Sequence, residues 1–457
     1  MHDLIIIGGG PAGYHAAELA AKEGLKAVLF EERSLGGVCL NEGCIPSKAL
    51  LYSAKIFDYA NGGGARYGVT CEAAKFDYAA AVRRKAKVVK KLVVGIEATL
   101  KREGVEVVKA RAEIEGRIED QIKGGFAVRA GGQDYRAAKL LLCTGSEPLL
   151  PPIGGLKDAL ASGFAMTNRE MLALTEPPKR LAIVGGGVIG MEMASLMTSA
   201  LCEVTVIEML DKIAGPTDAE IAALLQKEYE KRGVRFLLGA KLTGVDQGSV
   251  TYEQGGKAEV LPCDRALISI GRRPVTAGIG LERIGVEVRQ GAVPTDAQQK
   301  TNVPGVFAAG DINGTSMLAH TAYREAEVAV NVMCGRKDAM EYDAIPSVIY
   351  TNPEAAGVGE TLQTARAKGI DAREVTLPMM YSGRYMAENE GGGGICKLVW
   401  AGERRLIGVH MLGNPASEII ATAAALISRE ISLEQAKKIV FPHPSVAEIL
   451  REGLFHS

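Results

Sequence analysis

Leu4-Ile5-Ile6-Ile7-Gly8-Gly9-Gly10-Pro11-Ala12-Gly13 is a short apolar run that breaks into a glycine-rich turn. An Ala-rich helix is predicted from that turn to about Glu23, followed by a strand over residues 26–30 that ends at Glu31. Together these pieces make a dinucleotide fingerprint. The glycines permit a tight turn and close approach of backbone to a pyrophosphate, the helix N-terminus faces the phosphates, and the acid takes the ribose hydroxyls. A lone glycine pattern is weak; strand, helix and terminal acid in register make it specific.

The same unit recurs. Residues 181–184 form an apolar run, Gly185-Gly186-Gly187-Val188-Ile189-Gly190 the turn, and a helix runs to about Leu201 before a strand that ends at Glu208. From first glycine to terminal acid the distances are 31 − 8 = 23 and 208 − 185 = 23. Two intact copies imply two dinucleotides, one a bound flavin and the other a diffusible nicotinamide. Glu208 accepts a hydrogen bond from a free 2′-hydroxyl and repels a 2′-phosphate, which favours NAD over NADP. Met209-Leu210-Asp211 supply no arginine to reverse that, and Lys212 is the nearby cation.

Directly after the first unit comes Gly36-Gly37-Val38-Cys39-Leu40-Asn41-Glu42-Gly43-Cys44-Ile45-Pro46-Ser47-Lys48. On a regular helix the Cα atoms of Cys39 and Cys44 would stand roughly 8 to 9 Å apart, beyond the ~7 Å that a disulfide tolerates. If the two bond, the segment is bent; Gly43 permits the bend and Pro46 suits the start of a helix. A strained disulfide of this kind is easily reduced. The plain alternative is a pair of reduced packing residues, since free Cys often behaves as a small buried hydrophobe. The other cysteines, Cys71, Cys143, Cys202, Cys263, Cys334 and Cys396, show no metal-ligand spacing and read as structural.

At 457 residues the chain is expected to form several domains. Apolar residues make up 47% and the formal net charge is −1, so no basic excess points to nucleic acid. The longest apolar runs, such as residues 421–427, fall far short of a membrane span. Met1 leads at once into the first strand, which leaves no room for a targeting segment. Eight cysteines over this length do not make a secreted disulfide framework, and a cytoplasmic location is expected.

Residues 49–100 read as helical around a loop at 62–64, residues 105–137 as an antiparallel meander, and residues 140–145 as a buried strand. Pro148, Pro151, Pro152, Gly154 and Gly155 mark a boundary. The second unit carries its own meander over 234–262 and closing strand over 266–271. Residues 305–311 form an apolar strand ending in Gly310-Asp311, where the acid either contacts a sugar-like chain or caps the next turn. Met317 opens a long helix. From Tyr342 the composition changes to antiparallel strands over 345–350, 357–359, 395–400 and 406–411, with a helix over 416–429 packed on them. The fold class is therefore α/β: two Rossmann-like domains, for FAD (1–148, completed by 275–341) and NAD (149–274), plus an α+β interface domain (342–457).

Near the end, Phe441-Pro442-His443-Pro444-Ser445-Val446-Ala447-Glu448 carries one of six histidines. A carboxylate that holds an imidazole makes a thiol-deprotonating base. Ser445 and Glu448 also match a capping box, which would leave Glu448 serving its own helix.

Taken together, these motifs resemble the flavin-dependent pyridine nucleotide-disulfide oxidoreductases, and within them the dihydrolipoamide-oxidising branch. The likeness runs end to end and is most specific at residues 36–48, 346–354 and His443-Pro444-Ser445 with Glu448. The resemblance implies a redox-active Cys39–Cys44 disulfide. It implies FAD contacts from Gly8, Gly10, Gly13, Glu31, Lys48, Gly145, Asp311 and Ala319, with Ala112 a looser match. It also implies NAD contacts from Gly185, Gly187, Gly190, Glu208 and Gly271, and a Lys48–Glu192 pair. Such proteins are homodimers in which the histidine, here His443 oriented by Glu448, reaches the partner's disulfide. The implied substrate is dihydrolipoamide, free or on a lipoyl domain of a 2-oxoacid dehydrogenase or glycine cleavage complex, with no metal, membrane or nucleic acid involved. Val38 stands where the family commonly has threonine, Phe441 where it has a second histidine, and Cys143 at an alanine position. The alternatives are an NADH-dependent diaphorase or quinone reductase, another disulfide reductase, and a flavin-bound docking subunit.

Overall fold

The computed structural model describes residues 1–118, 124–389, 391–402 and 405–457. Its chain divides into two compact units, one of residues 1–49, 82–150 and 271–341, the other of residues 50–81, 151–270 and 342–457.

In the first unit, β1 (His2–Ile7) leads through the glycine turn into α1 (Pro11–Lys22) and then β2 (Ala27–Phe30). β1 pairs in parallel with β2 and with the strand Gln133–Leu142, so that Ile5 lies opposite both Val28 and Leu140. Glu106–Val108 and Val306–Ala308 extend the parallel part, and Ala112–Ile118 with Gly125–Ala130 attach an antiparallel meander to the first half of Gln133–Leu142.

Both faces of the sheet are covered, which is why its strands read as unbroken apolar runs. Leu4 and Ile6 pack with Ala12, Ala16, Ala20, Ala322, Ala326 and Ala329. Ile5 and Ile7, one residue out of phase, pack with Ile114, Phe126 and Val128. The alanines let α1 and the helix Ala319–Met333 lie close together on one face.

The meander starts later than the sequence reading placed it. Residues 106–108 join the parallel sheet beside β2, and residues 119–123, inside the span read as meander, lie outside the described residues. The second unit shows the same difference. Arg235–Leu238 is a parallel strand beside Glu203–Glu208, and only Ala240–Asp246, Ser249–Gln254 and Lys257–Pro262 form the meander. Just Gly239 separates the parallel strand from the meander, so no turn signal divides them.

The five-stranded parallel sheet of the second unit runs Arg235–Leu238, Glu203–Glu208, Arg180–Val184, Arg265–Ile268, Ala165–Met166. Besides the three-stranded meander, it has a second five-stranded sheet, antiparallel, in the order Ser347–Ile349, Ala355–Gly359, Arg405–Leu412, Ile395–Ala401, Ala372–Pro378, with the helix Ala416–Ser428 packed on it through Ile419, Ile420 and Ala423. Ala372–Pro378 was not legible as a strand, since a polar edge carrying Arg373 and Glu374 has no clean alternation. Among the described residues no helix is long and apolar enough to cross a membrane.

Lys397, on Ile395–Ala401, is almost fully buried. Its Nζ lies 3.0 Å from both oxygens of Asp218, 3.1 Å from Glu374 Oε1 and 3.2 Å from Glu220 Oε2. Burial pulls its pKa down, but Asp218 and Glu374 outweigh that and hold it above the ordinary lysine value. Asp218 also caps the helix Ala219–Lys231, accepting from the Glu220 and Ile221 amides. Breaking a buried ion pair from one side strands the other charge. Lys397→Met is therefore expected to destabilise folding by about 3–5 kcal/mol in denaturant titration, and an unchanged midpoint would refute that weight.

Candidate functional site

The two glycine turns are built alike. Gly8 and Gly185 have φ of +106° and +100°, open to glycine without strain. A Cβ on Gly8 would lie 2.2 Å from the Cys143 carbonyl oxygen, and one on Gly13 1.8 Å from the Gly8 oxygen. At Gly185 and Gly190 the corresponding approaches are 2.4 Å to Ser269 O and 2.0 Å to Gly185 O. The middle glycines differ: Gly10 would meet only Gly37 Cα at 3.9 Å, and Gly187 nothing within 4 Å, among the described residues. First and third glycines thus hold strand against helix, while the middle one opens outward. No side chain among the described residues caps the helix N-terminus at Gly10 or Gly187, so first-turn amides are left for an anion. These residues fit a pyrophosphate at each turn.

Each acid clasps its own turn. Glu31 Oε2 accepts from Gly9 N at 2.8 Å, and Oε1 from Arg33 N and Ser34 N. Glu208 Oε2 accepts from Gly186 N at 2.7 Å, and Oε1 from Leu210 N at 2.9 Å. A carboxylate has about four lone-pair sites, so each acid retains capacity for a ribose hydroxyl. Lys212, the cation noted near Glu208, donates to the carbonyls of Gly215 and Thr217 and is thereby tied to its own loop.

Gly145 and Gly271, with φ of +71° and +132°, lie beside a two-stranded ribbon, Ser146–Pro148 with Arg272–Pro274. There Ser146 Oγ donates to Asp311 Oδ2, and Arg272 donates to Ser146 through Nε and Nη2, each at 2.7 Å. Burial pushes the Asp311 carboxyl up, against Ser146 and Arg272, which lower it. Ser146 and Arg272 escaped the sequence reading; the available signal was their matched place just after the two closing strands. Ala319 is the first residue of the helix Ala319–Met333. Ala112 is buried in its strand opposite Ala130.

The cysteines sit on two helices that meet at a bend. α2 (Gly37–Glu42) carries Cys39, Gly43 takes φ −142° and ψ −109°, and α3 (Cys44–Asp58) begins at Cys44. Pro46 falls in the first turn of α3, where its missing N–H costs nothing. Gly36 N donates to Gly9 O at 2.8 Å, and a Cβ on Gly37 would come within 2.7 Å of Gly10 Cα, so α2 starts on the nucleotide turn itself. The two thiols are unbonded and in hydrogen-bond contact. That contact, burial and the charge of Cys44 push the Cys39 thiol far up, while Lys48, one turn after Cys44, pulls it down. Elsewhere burial pushes the Cys202 and Cys396 thiols to about 12 and Cys263 to about 11, as inert buried thiols require.

In the second unit, His443 Nδ1 lies 2.9 Å from Glu448 Oε1, and Ser445 N donates to Glu448 Oε2 at 2.8 Å. The two readings of Glu448 thus coexist, one on each oxygen. Only the Glu half of the capping box forms, since Ser445 Oγ is buried without a partner among the described residues. Because a carboxylate only accepts, Nδ1 carries the hydrogen and Nε2 is left as a base on a ring that is 80% exposed. Glu192 is buried on the helix Val188–Ser199, and its Oε1 accepts from Tyr350 N at 3.2 Å. Lys48 belongs to the first unit and Glu192 to the second.

Over 452 residues the chain is 35% identical to a dihydrolipoyl dehydrogenase of Chlamydia muridarum, covering 99% of this chain and 96% of that one. It is 35% identical over 464 residues to a leghemoglobin reductase of Vigna unguiculata, covering 99% and 87%. The crystal structure of LpdA from Mycobacterium tuberculosis superposes with a TM-score of 0.90 at 25% identity, covering 100% of this chain and 99% of that one. Residues 2–326 match the pyridine nucleotide-disulphide oxidoreductase family, and residues 345–453 match its dimerisation domain. With two nucleotide turns, a dithiol resting on the first, and matches that run through both parts of the chain, the protein belongs to the pyridine nucleotide-disulphide oxidoreductase family.

Proposed function

We propose that this enzyme oxidises dihydrolipoamide to lipoamide and reduces NAD to NADH, as a homodimer. The observation that carries this reading is the thiol pair built onto the first nucleotide turn. FAD fits that turn, with Gly8, Gly10, Gly13, Glu31, Lys48, Gly145, Asp311 and Ala319 to hold it; NAD fits the second, with Gly185, Gly187, Gly190, Glu208 and Gly271. Bound there, FAD would supply the two-electron redox chemistry that links the dithiol to NAD.

The protein's own groups do the rest. His443 of the partner subunit removes a proton from one substrate thiol, and Glu448 fixes its ring with Nε2 outward. The substrate thiolate attacks Cys39 Sγ, the Cys39–Cys44 bond breaks, and Cys44 leaves as thiolate at the start of α3, where the helix dipole favours it. The second substrate thiol displaces Cys39, which takes up a proton as the cyclic disulfide departs. Lys48 sets positive charge by the sulfurs. Overall, dithiol and NAD⁺ become disulfide, NADH and H⁺. A lipoyl domain of a 2-oxoacid dehydrogenase or glycine cleavage complex is the natural carrier, in the reducing cytoplasm.

Anaerobic titration of the purified yellow protein with dihydrolipoamide and with NADH tests this; failure of the thiol to bleach the flavin ends it. The leghemoglobin reductase relative favours a second reading, reduction of other acceptors from NADH. Steady-state rates with dihydrolipoamide against quinones or haem proteins separate the two. Nicotinamide choice gives a further expectation. Glu208→Gln removes the charge that repels a 2′-phosphate, and charge-assisted bonds are worth about 1.5–3 kcal/mol. The NAD-to-NADP ratio of kcat/KM should fall by about 10- to 100-fold. A loop merely loosened would lower both values and keep their ratio.

A further inference from the structure

α2 carries Cys39 but is only six residues long, and helices so short are not stable on their own. Its placement therefore depends on what holds each end. At the start, Gly36 N donates to Gly9 O at 2.8 Å, and Asn41 Nδ2 donates to the carbonyls of Leu35 and Gly37 at 3.0 and 2.9 Å. At the far end stands Gly43, where a Cβ would lie 3.1 Å from Val38 O and 3.5 Å from Cys39 Cα, so the bend rests against the turn that carries Cys39. A glycine there is free to swivel unless something outside the helix restrains it. Arg33 supplies that restraint. Its guanidinium meets Glu42, the last residue of α2, with both arms: Nη2 donates to Oε1, and Nη1 to Oε2 at 3.3 Å. The Glu42 side chain is 16% exposed, and Arg33 covers it. Arg33 is itself anchored, since its amide donates to Glu31 Oε1 at 2.7 Å. The nucleotide turn and its acid thus hold α2 from both ends.

We propose that Arg33 is a positioning residue for the redox pair: its fork on Glu42 fixes the angle between α2 and α3 at Gly43, and so holds Cys39 where it can close a disulfide with Cys44. A disulfide tolerates a narrow range of Cα separation, and closure is favoured in proportion to how fully the two thiols are held in that range. Without the fork, α2 is held at its start alone, the reduced pair samples open arrangements, and the dithiol gains over the disulfide. Arginine suits the task because its planar fork fixes direction as well as distance, whereas a lysine offers a point charge. Neither Arg33 nor Glu42 need touch a sulfur. The effect runs through the backbone from Glu42 to Cys39, three residues before it, and to Cys44, two residues after.

This role rests on the dithiol reading of the site, and the test keeps the two apart. The holoenzyme is equilibrated anaerobically in mixtures of dithiothreitol and its cyclic disulfide, quenched with iodoacetamide, and its reduced fraction read from the mass of the cysteine peptide. One disulfide and two thiols exchange for one disulfide and two thiols, so the midpoint ratio gives the equilibrium constant directly. In Arg33→Met that constant is expected to move toward the dithiol by about threefold to tenfold. Glu42→Gln should match it, and the double variant should go no further than either alone. Arg33→Lys should recover part of the parental value, and the exchanged pair, Arg33→Glu with Glu42→Arg, most of it. Unchanged constants in both single variants, even with a lowered unfolding midpoint, would make the pair a fold contact only and overturn the assignment. Shifts that add in the double variant would overturn it as well. A parent enzyme whose Cys39 and Cys44 stay open to alkylation at every buffer ratio would instead remove the dithiol reading on which it stands.

Discussion

Cys44→Ser is expected to leave a yellow, FAD-loaded protein whose dihydrolipoamide turnover falls by about three orders of magnitude or more. A serine oxygen cannot form the internal disulfide, so the substrate thiolate has no bond to break at Cys39 and no sulfur to which electrons can pass. The nucleotide turn is untouched, because contact between α2 and that turn runs through Gly36 and Gly37. Reduction of quinones by NADH needs only the two dinucleotides and should persist, so the ratio of the two activities isolates the dithiol step. The remaining thiol should also change. In the parent, Cys39 is pushed up first by its hydrogen bond with Cys44, then by burial, then by the charge of Cys44, with Lys48 opposing. Replacing the second sulfur removes the first and third of these, so Cys39 should ionise at lower pH and alkylate faster near neutrality than it does in the reduced parent. Parental turnover of dihydrolipoamide in this variant would mean that electrons reach NAD by a route that bypasses the pair.

What sequence could show here follows the range of the forces involved. The glycine turns were legible because the demand is local: a positive φ at Gly8 and Gly185, and no room for a Cβ at Gly13 and Gly190. The bend at Gly43 was legible for the same reason. Strand membership was not, because whether residues 106–108 or 235–238 pair in a parallel sheet or a meander is decided by neighbours distant in sequence. Lys397 sits in Ile-Cys-Lys-Leu-Val-Trp, where alternation would turn it to water; only the fold brings Asp218 and Glu374 to it. Ser146 with Arg272, and Tyr14 with Tyr323, meet across 126 and 309 positions, with no local pattern to announce either contact. At Glu448 the sequence offered a base-orienting role and a helix-capping role as rivals, and the carboxylate performs both because its two oxygens face different donors.

That division of labour makes the His443–Glu448 pair the second place where a small change should have a large effect. His443→Gln deletes the base and is expected to lower kcat for dihydrolipoamide oxidation by about 10²- to 10⁴-fold, the usual yield of positioned general-base catalysis. NADH-to-quinone reduction, which takes no proton from a thiol, should stay near the parental rate. Glu448→Gln is subtler. In the parent the Glu448 carboxyl is held below the ordinary carboxylate range, first by the Ser445 amide and then by His443. A lowered folded value means that its contribution is complete above the ordinary value of about 4.3 and is lost only as pH falls through the lowered one. Across the neutral range the carboxylate is therefore always charged, and no limb of the parental rate profile in that range belongs to it. The Gln side chain can still accept from Nδ1 but carries no charge to set against the imidazolium that proton transfer creates, so the plateau of kcat is expected to fall by roughly tenfold. An unchanged plateau would show that Glu448 serves only its helix and that another group orients the imidazole.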